Sequence, residues 1–147
     1  MNDVKTDLSR TAAFRLGTLG AVVADRFAAE IAPFDLKPKH VGLLNVLSQD
    51  SAASQQVLAA KLGVVPSLVV ALADHLEDLG ALTRVRDSRD RRRQVLTLTE
   101  EGKHLLSRCT EIAKKLDQQL LAPLSAPQRK GLHDALRVLA ASSSAND

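Results

Sequence analysis

The chain has 147 residues, enough for one domain with a real core, and its 45% apolar and 25% charged residues are an ordinary globular balance. Only Phe14, Phe27 and Phe34 are aromatic, too few for the ring platforms that bind single-stranded nucleic acid, and one cysteine, Cys109, excludes an intrachain disulfide framework. No apolar run is long enough to span a membrane and the first residues lack a signal pattern, so a cytoplasmic protein is expected.

The first helix is predicted from about Thr6 to Ile31. Leu8, Ala12, Leu16, Leu19, Val23, Phe27 and Ile31 form one apolar stripe at spacings of four and three. Pro33 ends it, and a second helix follows Pro38, with Val41, Leu44 and Leu47 inward. Asp50 to Ser54 reads as a loop, and Ser54 as the N-cap of a short third helix that Gly63 stops after Leu62. Pro66 opens a fourth helix, where its missing N–H costs nothing, and Gly80 ends it after Leu79.

A hairpin comes next. Thr83 to Arg86 reads as a strand, Asp87 to Asp90 as a turn and Gln94 to Thr99 as a return strand. Residues 84 to 93 hold six arginines and two aspartates, a charge of +4 in a chain whose total is +3. The net positive charge therefore sits on this one element. Such a tip suits contact with phosphates or a minor groove. A solvated loop that keeps an edge ribbon soluble is the other reading.

The fifth helix starts at Thr99, with Glu100 and Glu101 at its positive end and Leu105, Cys109, Ile112, Leu116 and Leu120 on one side. Pro123 closes it. Ser125 and Gln128 form a capping box for a sixth helix, whose apolar side carries Leu132, Leu136 and Leu139.

Residues 54 to 79 are two short helices joined by a tight turn. Ala59 and Gly63 supply small residues where they meet, and Leu58, Leu62, Val64, Val69 and Leu72 supply apolar contacts. With the basic hairpin directly behind, this is a winged helix-turn-helix pattern. An ordinary three-helix core with an incidental hairpin is the alternative.

At Leu58-Ala59-Ala60-Lys61-Leu62-Gly63-Val64, Leu72 to Gly80, Asp87-Ser88-Arg89-Asp90-Arg91-Arg92 and Leu96 to Gly102 the sequence resembles the MarR family of bacterial transcriptional regulators. The resemblance covers about Thr6 to Ala140. It implies a mainly α fold of six helices with a small two-stranded β-wing: one MarR-like domain over residues 1–147, with dimerisation helices in 6–35 and 99–141 and the winged lobe in 36–98. It further implies a homodimer that binds a palindromic double-stranded operator, with the fourth helix in the major groove and the wing in the minor groove. Many members are repressors released by a small molecule, often a phenolic or aromatic acid. The long stripes support a dimer independently, since a monomer would leave them facing water.

The expected DNA contacts are Ser54, Gln55, Pro66, Ser67, Leu68, Val70, Ala71, Arg84, Arg86, Arg89, Arg91 and Arg92, with Arg92 in the minor groove and Asp87 or Asp90 orienting the guanidinium groups by pairing. The expected dimer contacts are Leu8, Ala12, Leu116, Leu120, Leu132, Leu136 and Leu139. An effector pocket would draw on Leu16, Leu19, Val23, Leu44 and Leu47, with Arg15 or His40 for an anionic group; those residues filling a core is the plainer reading.

The fourth helix departs from the family. It has no Lys or Arg, and Val70 and Ala71 stand where a threonine and an arginine are common. Bidentate arginine–guanine contact is therefore unavailable from it. Either base reading rests on thymine methyls, wing arginines and DNA shape, or specific DNA binding is weakened and the chain is a MarR-like helical interaction protein. His40, His75, His104 and His133 are scattered without ligand-like spacing, so no metal and no cofactor is expected. Neither a nucleophile–base set nor a glycine-rich phosphate loop is present, and an enzyme is not expected. Cys109 reads as a buried, inert thiol.

Overall fold

The structure is a computed structural model that describes residues 7–50 and 53–144, Ser144 by its backbone alone. Six helices and three strands follow in the order α1 (Ala12–Ile31), α2 (Pro38–Gln49), β1 (Ala53–Ser54), α3 (Gln55–Leu62), α4 (Pro66–Asp78), β2 (Leu82–Arg86), β3 (Gln94–Leu98), α5 (Glu100–Leu121) and α6 (Ala126–Ser144). The chain divides into two compact units, Met1–Ala113 and Lys114–Asp147, with the division inside α5.

The expected first helix is two pieces. Leu8–Arg10 forms a short 3-10 turn, and Thr11 then turns extended and caps α1, its hydroxyl accepting the Phe14 N–H at 3.2 Å. Thr6 lies outside the described residues. The α1 stripe is graded: Ile31 is fully buried and Phe27 packs on the core, whereas Leu16 and Leu19 are 47% and 56% exposed. One chain therefore covers only the C-terminal end of the stripe.

Helices α3 and α4 meet at 106°, the crossing of a helix-turn-helix. Ser54 caps α3 through the Val57 N–H at 3.3 Å. Gly63 takes φ 64° beyond its last turn, and the Val64 N–H reaches back to the Ala59 carbonyl at 3.0 Å. A side chain is strained at that φ, so glycine marks the stop. Leu43, Leu44, Leu58, Val69, Leu76 and Leu96 are each fully buried and pin the three helices to the sheet. Leu43 faces inward beside the expected Leu44 and Leu47, while Val41 is only partly covered.

The sheet has three strands in the order β1-β3-β2, not the two expected. Ala53 and Ser54, read as loop, pair antiparallel with Leu96 and Val95, while Arg84 lies opposite Leu96 on the other edge. Two residues of small side chain carry no alternation, so β1 is invisible in sequence. It exists because β3 offers a free edge.

Helix α5 starts where the sequence places it. Thr99 donates its hydroxyl proton to the Gly80 carbonyl at 2.6 Å and accepts the Gly102 N–H at 3.0 Å. Cys109 is buried, and burial pushes its thiol up from the ordinary range.

In the second unit Ser125 and Gln128 form the expected capping box. The Gln128 side chain accepts the Ser125 N–H at 2.9 Å, and the Ser125 hydroxyl accepts the Gln128 N–H at 3.4 Å. The Arg129 guanidinium donates to the carbonyls of Leu121, Ala122 and Leu124, satisfying groups that α5 leaves open at its end. On α6, Leu136 and Leu139 are 43% and 50% exposed. No single helix among the described residues is long and apolar enough to cross a membrane.

Candidate nucleic-acid interface

The inner face of α4 is Val69, Leu72, Ala73 and Leu76. Its outer face, at the complementary spacing, is Ser67, Val70, Ala71, Asp74 and Glu77, all exposed. Pro66 is exposed at the first turn, while Leu68 is half-buried against the core and offers less surface than expected. The N-terminal half of the outer face is thus small and uncharged, and its C-terminal half is acidic.

Beyond β2 the wing loop spans residues 87–93. Arg86, Arg89, Arg91, Arg92 and Arg93 are exposed, and none pairs with a carboxylate among the described residues. The expected pairing by Asp87 and Asp90 is not what forms. Asp87 accepts the backbone N–H of Arg89 at 2.9 Å, and Asp90 that of Arg92 at 3.0 Å. Each aspartate folds the loop through a local side-chain-to-backbone turn, which a short acidic side chain does readily. The arginine heads are left unneutralised.

Arg84 does not join them. Its side chain is only 16% exposed and folds back onto α4, bonding Asp74 at 2.5 Å and Glu77 at 2.8 Å. Arg84 was expected among the DNA contacts; its guanidinium is already satisfied in a two-carboxylate clamp.

Ser54, Gln55 and Arg92 do come together. With Gln56, Arg93 and Gln94 they line a groove of about 400 Å³ between the start of α3 and the wing. Sequence reasoning left out the last three. The arginine run signalled Arg93, and nothing in the sequence signalled that Gln94 faces the start of α3.

The effector residues expected from sequence are not brought together within one chain. Leu44 and Leu47 are buried core, and Leu16 and Leu19 are open. The Arg15 side chain donates to the Ser9 carbonyl at 3.1 Å, near the far end of α1 from Ile31, about 24 Å away at helical rise. His40 instead lies against α4, stacked on His75 with ring centroids 4.4 Å apart. Its Nδ1 accepts the Lys37 N–H at 2.9 Å, which closes the start of α2. The His75 Nε2 meets the Asp35 carbonyl at 2.6 Å. Burial lowers the His40 pKa, with the His75 and Lys37 charges adding to the effect and Asp35 opposing it. Both rings border a cleft of about 550 Å³ with Ala28, Ala32 and Leu36.

A helix-turn-helix crossing near a right angle, an arginine-tipped wing and a small uncharged first turn on the outer face of α4 define a winged helix-turn-helix DNA-binding protein. Residues 34–93 match the profile described as the MarR family. The HTH-type transcriptional repressor Rv2887 of Mycobacterium tuberculosis (strain ATCC 25618 / H37Rv) is 31% identical over 117 residues, 80% of this chain and 84% of the relative. The chain therefore belongs to the MarR family of transcriptional regulators. Among solved structures, the transcriptional repressor CouR bound to a 23-mer DNA duplex superimposes with a TM-score of 0.80 at 29% identity, covering 92% of this chain and 96% of that one. CouR from Rhodococcus jostii RHA1 bound to p-coumaroyl-CoA gives 0.77 at 25% identity, covering 92% and 95%. The Mycobacterium tuberculosis MarR family protein Rv2887 in complex with salicylic acid gives 0.72 at 29% identity, covering 88% and 96%.

Proposed function

We propose that this regulator is a cytoplasmic homodimeric repressor of a palindromic operator, released by a small aromatic acid or its thioester, with no reaction of its own. The observation that carries the DNA reading is the wing: five exposed guanidinium groups without carboxylate partners among the described residues, beside an uncharged α4 outer turn. Each phosphate contact would release counterions, so binding is strongly salt-dependent. Pro66, Ser67, Val70 and Ala71 meet bases in the major groove, Arg89, Arg91 and Arg92 the minor groove and backbone, and Ser54 and Gln55 a flanking phosphate. Ligand release draws its support from the relatives crystallised with salicylic acid and p-coumaroyl-CoA. Dimerisation through residues 6–35 and 99–141, around the lobe 36–98, draws its support from the open leucines of α1 and α6.

Selection from a random duplex pool, followed by gel shift with competitor DNA, tests the reading. A palindromic consensus whose retardation salicylate relieves is the expected result. The bare α4 favours a second reading, a helical interaction protein on this scaffold, and a pool that yields no consensus would establish it over the first.

A further inference from the structure

The wing and the recognition helix are joined by one half-buried cation, and its position has a functional consequence. Helix α4 carries Asp74, Glu77 and Asp78 and no Lys or Arg. Asp74 follows Ser67 by seven residues and Val70 by four, so it continues the outer face offered to DNA. A bare carboxylate there would face the phosphate backbone with a like charge. Arg84, on the neighbouring strand, bonds Asp74 and Glu77 together. The wing arginines just beyond it carry no such pairs among the described residues.

We infer that Arg84 is a positioning residue for DNA binding that acts without touching DNA: by clamping Asp74 and Glu77 it removes the repulsion that the acidic end of α4 would exert on the operator. The guanidinium is mostly covered while the Asp74 and Glu77 side chains stay 61% and 43% exposed, so the clamp sits on the very surface that α4 offers to DNA. It also explains how a recognition helix without cations can lie against phosphates. The arginine that cancels its acids stands on β2 instead.

The inference rests on the DNA-binding reading, and the two are separated by using a selected and a scrambled duplex. A wild-type chain that binds both equally counts against the operator reading, while the ratio between variant and wild type on one duplex still tests Arg84. Affinity is measured by fluorescence anisotropy at low ionic strength. Arg84→Met, which keeps an unbranched apolar stem, should bind about tenfold more weakly. The triple variant R84M/D74N/E77Q should recover to within about twofold of wild type, because the carboxylates that needed cover are gone. Unchanged affinity in Arg84→Met overturns the inference, and so does a triple variant as weak as the single one, which would make Arg84 a DNA contact or a brace. If Arg84→Met does not fold, the D74N/E77Q chain provides the background. Adding Arg84→Met to it should change affinity by less than about twofold, and a larger loss overturns the inference.

Discussion

Gly102 in the first turn of α5 lies directly against the carbonyl of Ala81, so closely that a Cβ at position 102 would overlap that oxygen. The carbonyl cannot retreat freely, because it accepts the Thr99 N–H at 3.1 Å and so anchors α5 to the end of α4. A Gly→Ala change inside a helix ordinarily gains about 0.5–1 kcal/mol. Here the overlap is with backbone, and overpacking costs about 1–3 kcal/mol. Gly102→Ala should therefore be net destabilising in urea unfolding. Gly42→Ala on α2, where the nearest atom is at 3.5 Å, should be neutral or stabilising. Equal behaviour of the two variants would contradict the packing seen at Ala81.

His40 makes stability depend on pH. Its imidazole is held below the usual value of about 6.5, first by burial and then by the charges of His75 and Lys37, with Asp35 opposing. Below that value the unfolded chain binds a proton that the folded chain resists. The contribution is thus complete above about pH 6.5 and is lost as pH falls towards the folded pKa. The geometry agrees, since a protonated Nδ1 could no longer accept the Lys37 N–H. His40→Asn keeps an acceptor without the titration. The drop in urea midpoint between about pH 7.5 and about pH 5.5 should be larger in wild type than in His40→Asn. Parallel curves would remove His40 from the account.

Helix boundaries other than the start of α1 were legible because their signals are local: Gly63 and Gly80 at positive φ, Pro66 at a first turn, Ser54, Ser125 and Gln128 at caps. What sequence missed depends on partners distant in the chain. The strand Ala53–Ser54 has no period of its own and forms only against β3. Arg84 looked like one more wing arginine because the run around it is uniform, and only the fold brings Asp74 and Glu77 beneath it. His40 and His75, 35 positions apart, stack only when α2 crosses α4. The division of the outer face of α4 into an uncharged first half and an acidic second half was legible directly, since helical spacing alone sorts its residues.

The apolar surface on α1 and α6 requires a cover. Leu16, Leu19 and Val22 on one helix and Leu136, Val138 and Leu139 on the other are open in the single chain. Monomers rarely leave such patches bare, and obligate dimer interfaces bury more than about 2,000 Å². Sedimentation at micromolar concentration should give a dimer, and Leu136→Glu should dissociate or unfold it. A folded wild-type monomer under those conditions would refute the dimer.

At the wing, Arg92→Ala should weaken operator binding by about 1–3 kcal/mol and lower the salt slope by about one if the side chain meets phosphate, or broaden the sequence preference if it meets a base edge. Its backbone N–H is held by Asp90, so the loop keeps its fold while the head is removed. A titration at physiological salt with unchanged affinity would displace Arg92 from the interface.

On the proposed DNA reading, the outer turn of α4 should set the sequence preference. Ser67, Val70 and Ala71 offer one hydroxyl and small apolar groups. Methyl-sized side chains contact the thymine C5-methyl and gain nothing from the acceptor-rich edge of guanine. Pro66 lacks an N–H and Leu68 donates its own to the Val65 carbonyl at 3.0 Å, but the Ser67 N–H, with the helix dipole, can hold a phosphate and fix the helix in the groove. The half-site selected from a random pool should accordingly be rich in A·T beneath α4, with the wing favouring a narrow A·T minor groove beside it. Ala71→Arg adds the bidentate donor that α4 lacks. It should shift the selected consensus towards G at one position in each half-site and raise affinity for scrambled duplex, since the new charge also meets phosphate. A wild-type consensus built on G·C pairs beneath α4 would falsify this account of the helix.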